Sequence, residues 1–119
     1  MAEKLTDYRQ LNVWQKAHKL ALEVYEITKK YPKDEKGELV SRMRIAVESI
    51  PIKIAEGFMR RSPRDKEAAY KETQTGLESV KYYLMLSDEL GYIKDAEEMI
   101  LAAEELGRML GGLVRSARS

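Results

Sequence analysis

The chain has 119 residues and carries 21 lysines and arginines against 20 aspartates and glutamates, a net charge of +1 that excludes any global pull toward nucleic acid or an anionic membrane. It has no cysteine, which removes disulfides, thiolate metal sites and a cysteine nucleophile, and fits a reducing compartment. The length is that of one domain, 1–119, and the start from Met1 to Leu5 shows no apolar leader, so a cytoplasmic protein without membrane contact is expected. The charge is unevenly spread. Residues 1–66 hold 15 basic and 10 acidic side chains, whereas residues 67–119 hold 6 and 10, which permits charge-matched self-association or a local basic patch.

Residues 1–11 mix charge with Leu5, Tyr8 and Leu11 and read as a partly ordered lead-in. From there Val13, Ala17, Leu20, Val24, Ile27 and Tyr31 recur at steps of four and three. Trp14, Ala21 and Thr28 widen this into the core-facing stripe of a first helix. Asn12 is placed as its cap and Pro32 as its end. After the charged connection 33–37, a second helix carries Leu39, Met43, Ala46 and Ile50 at the same steps and runs to Phe58 or Met59. It contains Pro51, which removes the amide that would bond the Val47 carbonyl, costs about 3 kcal/mol and predicts a kink. Ile50, Ile54 and Phe58 lie four apart and stack on one face across the bend, which offsets that cost. Ile50, Ile52 and Ile54 also alternate as a strand would, but the run is short, holds a proline and has no second strand to pair with.

Ser62, Pro63 and Asp65 supply the cap, first-turn proline and first-turn acid of a third helix. Its expected seam is Ala69, Thr73, Gly76, Val80, Tyr83, Ser87 and Leu90, with Gly91 as a left-handed stop. Leu77, Leu84 and Leu86 fall off that line beside Tyr82 and Tyr83. Two readings follow: apolar surface in excess of one core, awaiting a partner, or a central helix that touches two neighbours. Asp95 and Glu98 have capping-box spacing ahead of a fourth helix with Met99, Ala103, Leu106, Leu110, Leu113 and Ala117 on its seam. Gly107, Gly111 and Gly112 either admit another helix closely or mark a fraying end at Gly111. Four helices joined by short connections define an all-α, antiparallel up-down-up-down four-helix bundle with a Pro-kinked second helix.

Chemistry has little to work with. His18 is the single histidine, lies off the seam between Lys16 and Lys19, and reads as a solvated helix residue. One histidine cannot build a di-iron carboxylate site. The pairs Glu97–Glu98 and Glu104–Glu105 read as a solvated polar face, and no glycine-rich phosphate loop is present. No catalytic residue, metal ligand or cofactor is therefore assigned, and the chain is expected not to be an enzyme. The basic residues form a more pointed set: Arg42 and Arg44 on the second helix, and Arg60, Arg61, Arg64 and Lys66 around the turn into the third. Arginine forks suit phosphate. An ordinary charged loop is the alternative.

The run Leu-Asn-Val-Trp-Gln-Lys-Ala at 11–17, Tyr31-Pro32, Arg44 to Ala46, Ser49-Ile50-Pro51, Ile54-Ala55-Glu56-Gly57, Arg60, Gly76 and Leu90-Gly91-Tyr92-Ile93 resembles the four-helix-bundle proteins encoded in intervening sequences of bacterial 23S ribosomal RNA genes. The likeness spans about Tyr8 to Leu113, and Trp14, Pro51, Ala55, Glu56, Gly57, Gly76 and Gly91 are its structural marks here. That family is similar in fold to the accessory variability determinant of diversity-generating retroelements, a basic bundle that assists a reverse transcriptase and its RNA. The resemblance implies a homopentameric ring, no known enzymatic activity, and a role in binding RNA, DNA or a nucleic-acid enzyme. Three positions depart from the pattern: Lys53 stands for an asparagine, Ile45 for an arginine, and Leu77 for a small residue. Lys53 adds to a basic surface and Ile45 subtracts from it. The alternative function is an oligomeric scaffold for a protein partner without nucleic-acid contact.

Overall fold

The computed structural model describes residues 5–118; residues 1–4 of the lead-in and Ser119 lie outside that span. Its helices are α1 (Asn12–Thr28), α2 (Leu39–Met59), α3 (Pro63–Glu89) and α4 (Glu97–Arg118), with turns of 3-10 helix at Tyr8–Gln10 and Lys33–Glu35. Among the described residues there is no strand, and no helix is long and apolar enough to cross a membrane. Helices adjacent in sequence pack together and α1 also packs on α4, closing a four-helix bundle of 49 × 23 × 20 Å. Lys53 and Met43 of α2 reach Glu72 and Ser87 of α3, while Gln74 and Glu67 of α3 meet Gly107 and Arg118 of α4. Residue numbers rise along one helix as they fall along the next, so these neighbours run antiparallel.

The core follows the expected stripe of α1, where Val13, Ala17, Leu20 and Val24 are buried; on α2 Leu39, Met43 and Ile50 are buried as expected with Ile54, but Val47 takes the buried position expected of Ala46, which is half-buried. α2 is a single helix through Pro51, whose ring is buried. Beyond it, Gly57 has a specific reason. A Cβ there would lie 2.7 Å from Cε1 of Tyr70, so only glycine lets the aromatic ring of α3 lie against α2. Ser62 Oγ accepts from the Asp65 amide at 3.0 Å and starts α3 with Pro63 in its first turn. Gly91 takes φ +79 at its end, and the Tyr92 amide donates back to the Ser87 carbonyl at 2.9 Å. This is the six-to-one bond of a left-handed helix stop.

Several expectations are corrected. Asn12 is the first residue of α1 and not its cap; Leu11 holds the cap position with no side-chain bond. The entry is fixed one turn earlier, where Asp7 and Gln10 form a capping box around the 3-10 turn, and Gln15 Nε2 donates to the Arg9 carbonyl at 2.8 Å. α1 stops at Thr28, before Pro32, because the proline restricts Tyr31 ahead of it; Tyr31 stays buried outside the helix. In α3 the buried line is Tyr70, Thr73, Leu77, Val80, Leu84 and Ser87, with Leu77 and Leu84 at its centre and Leu90 exposed. The longest aliphatic side chains occupy the middle of the stripe and leave Gly76 and Tyr83 on its flank. In α4, Val114 takes the core position expected of Leu113, and the helix continues through Gly111 and Gly112 to Arg118, so it does not end early. A bond from Gln74 Nε2 to the Gly107 carbonyl, 2.9 Å, ties the glycine-bearing stretch to α3.

Candidate nucleic-acid interface and apolar groove

The antiparallel order brings the α2–α3 turn, the Tyr8–Gln10 turn and the end of α4 to the same end of the bundle. Helix α2 must surrender its last carbonyls there, and Lys66 meets them. Its Nζ donates to the carbonyls of Gly57 and Phe58 and lies 5.2 Å from the Phe58 ring centroid. A lysine that closes a helix C-terminus complements the dipole and satisfies otherwise unpaired oxygens. It is thereby held inside the turn and not presented to a ligand.

The other expected basic residues separate into two groups. Arg44 clamps α2 to α1: Nε donates to Thr28 Oγ1 at 3.0 Å, a terminal nitrogen donates to the Tyr25 carbonyl at 3.3 Å, and the guanidinium sits 4.5 Å from the Tyr25 ring centroid. Lys53 pairs with Glu72 of α3 at 3.2 Å, and Arg42 faces Glu38 one turn away at 4.0 Å. Arg60, Arg61 and Arg64 differ. All three are exposed, and among the described residues none makes a side-chain hydrogen bond or ion pair. Nearby Glu67 is occupied by Lys71 and Arg118, whose contacts hold its carboxyl below the usual glutamate range. The structure thus concentrates the expected patch into three free guanidinium groups at one end.

Sequence reading missed a second feature. Between α1 and α2 runs a groove of about 540 Å³ lined by Trp14, Leu22, Tyr25, Pro51, Ile52 and Ala55, with Tyr8, His18, Glu48 and Glu56 along it. Three aromatic rings stand in sequence: Tyr8 lies 5.4 Å from Trp14, and Trp14 stacks on His18 at 5.0 Å with planes 15° apart. Tyr25 donates to a Glu48 oxygen at 2.6 Å, a bond that pushes its phenol above the ordinary range. Leu22 is 56% exposed and Ile52 52%. Four of the residues that carry the sequence resemblance, Trp14, Pro51, Ala55 and Glu56, line this one groove, whereas Gly57, Gly76 and Gly91 serve packing and turn geometry. The signal that could have revealed it was the pair Leu22 and Tyr25, large apolar side chains one helical step off the buried stripe and opposite Ile52.

No cluster of three or more histidine, cysteine, aspartate or glutamate side chains capable of holding a metal occurs among the described residues. What the fold and these two features define is a four-helix bundle with a charged end and an uncovered apolar flank. The chain belongs to the 23S rRNA-intervening sequence protein family, whose model matches residues 9–112. No curated protein matches it.

Proposed function

We propose that this protein is a non-enzymatic bundle that self-associates and contacts RNA or DNA through the end bearing Arg60, Arg61 and Arg64. The observation that supports the reading is the state of those three arginines: exposed, close in sequence and without a partner among the described residues, where Arg44, Lys53 and Lys66 are engaged within the bundle. A guanidinium with a free fork of donors binds phosphate oxygens two at a time, and each such contact releases condensed cations. The net charge of +1 makes this a local interaction, read by one end of the molecule. Self-association is supported by the groove, a contiguous apolar surface that water covers poorly. The resemblance adds five copies as the expected number, a nucleic-acid enzyme as a companion, and the cytoplasm as the place of action, which the cysteine-free sequence fits.

The test is binding of single-stranded and duplex RNA across a salt series. Wild type is expected to lose affinity linearly in log–log form, with a slope of roughly 0.7 to 0.9 per phosphate contacted. Arg60→Gln, Arg61→Gln and Arg64→Gln together are expected to weaken binding at least tenfold and flatten that slope. Absence of binding at low salt, or a triple variant that binds like wild type, overturns the assignment.

A further inference from the structure

Resting on the phosphate contact just proposed, we infer the form of nucleic acid that this end of the bundle takes: a single strand, one unpaired base of which lies in the cleft between the Tyr8 turn and the last turn of α2. The cleft holds about 390 Å³ and is lined by Tyr8, Ala55, Glu56, Met59 and Arg60, so one of the three free arginines is also part of its wall. That volume is within the range of small-ligand clefts. Its apolar walls suit a flat ring. Met59 is 69% exposed, more than any other large apolar side chain among the described residues, and its polarisable thioether packs well on aromatic faces. Tyr8 is set in place by the chain itself: Asp7 and Gln10 cap the 3-10 turn that carries it, and its ring lies 5.4 Å from that of Trp14. A ring fixed in this way loses little freedom when a base stacks on it.

The charges of the cleft sort the two parts of a nucleotide. Glu56 stands one helical turn before Arg60; both are exposed, and neither makes a side-chain hydrogen bond or ion pair among the described residues. A carboxylate repels phosphate but accepts hydrogen bonds from N–H groups, and every base carries at least one N–H on its pairing edge. Phosphate is therefore held at Arg60, with Arg61 and Arg64 following in the same turn, while the base faces Glu56. Arg9, the cation of the Tyr8 turn, is paired with Asp7 at 2.6 Å, so that turn adds no net charge. A duplex cannot supply the same contact, because its bases are stacked on one another and their pairing edges are occupied. Arginines beside an aromatic face are the parts with which single strands are bound without regard to sequence.

The experiment measures binding to a short unstructured strand, in RNA and in DNA form, to the same strand with its bases removed, and to the matching duplex. Wild type is expected to hold the intact strand roughly tenfold tighter than the abasic one, the size of effect one stacked base provides. Tyr8→Ala and Met59→Ala are each expected to lose most of that gain on the intact strand, with affinity for the abasic strand and the duplex unchanged and the salt slope kept. Tyr8→Phe keeps the ring and is expected to bind like wild type. Circular dichroism confirms helix content, and if Tyr8→Ala does not fold, Met59→Ala at its exposed position and the abasic strand with wild type carry the test. The base-dependent gain on RNA, on DNA or on both supports the cleft and identifies the strand it takes. An abasic strand bound as tightly as the intact one, or ring and thioether variants that bind every probe like wild type or weaken all of them equally, overturns the base cleft. In those cases a loss confined to the Arg60, Arg61 and Arg64 triple variant leaves the phosphate contact standing, whereas no binding of any probe at low salt removes both.

Discussion

The two flanks of α1 are built from one helix and behave as different materials. Toward α4 the cleft beside Leu20 and Ala102 is lined by Lys16, Lys19, Glu23, Glu98 and Glu105, and its continuation sets Glu26 and Asp95 beside Leu22, Ile27 and Met99. Toward α2 it is lined by Trp14, Ala21, Leu22, Tyr25, Pro51 and Ile52. Both are open clefts between packed helices. The first is content in water, because exposed charges on long side chains need no partner and gain little from one. The second leaves aromatic and branched surface in water, at about 25 cal/mol for each Å² a partner could cover. Which flank of a helix is finished within the chain therefore cannot be told from packing alone; the chemistry of the rim decides.

The harshest way to break this contrast is to remove what both flanks share. Leu20→Ala deletes a side chain 2% exposed and is expected to cost about 2–5 kcal/mol in urea denaturation, loosening α1 on both sides. Arg44→Met acts on the α2 side alone. It removes the bonds to Thr28 and the Tyr25 carbonyl and is expected to cost about 1 kcal/mol, with the α4 side unchanged in hydrogen exchange. Next come two neighbours on α1: Leu22→Glu and Glu23→Gln are each expected to change monomer stability by no more than about 0.5 kcal/mol. They part company in assembly, where light scattering is expected to show loss of the oligomer for Leu22→Glu and none for Glu23→Gln. The smallest effect is local and depends on acid. Hydrogen bonds from the Arg9 side chain and amide hold Asp7 at about 2, below its usual 3.8. A depressed carboxylate contributes stability fully above its ordinary value and loses it as pH falls through the lowered one. The turn that carries Tyr8 into the groove is therefore expected to loosen between about pH 4 and pH 2, followed by amide chemical shifts of Arg9 and Gln10, and Asp7→Asn abolishes that titration.

Much of the fold was legible because its punctuation is chemical. Ser62-Pro63 could only start a helix cleanly and Gly91 could only end one, and both do so with the expected bonds. The four–three spacing found the buried sides of α1 and α4. On α2 it named Ala46 where Val47 is buried, and on α3 it found Thr73, Val80 and Ser87 but not Tyr70, Leu77 and Leu84, because two adjacent stripes there satisfy the same spacing, Gly76–Tyr83 and Leu77–Leu84, and the spacing alone does not choose the leucines. The basic end was legible as a cluster but not in its parts. Whether Lys66 faces solvent or folds back on Phe58 depends on how tightly the chain turns at Arg60–Ser62, which spacing does not encode. Arg44 was hidden for a like reason, since its partners are Thr28 and Tyr25 on another helix. The groove went unseen because its two walls are far apart in sequence and each alone shows only a few stray apolar residues.

The indole of Trp14 is the chain's single tryptophan, and it lines the uncovered flank half-buried between Tyr8 and His18. Its emission colour and lifetime therefore track one place and nothing else. Covering of that flank by any neighbour would register as a blue shift, so the molecule comes with an optical gauge of its own occupancy that requires no label.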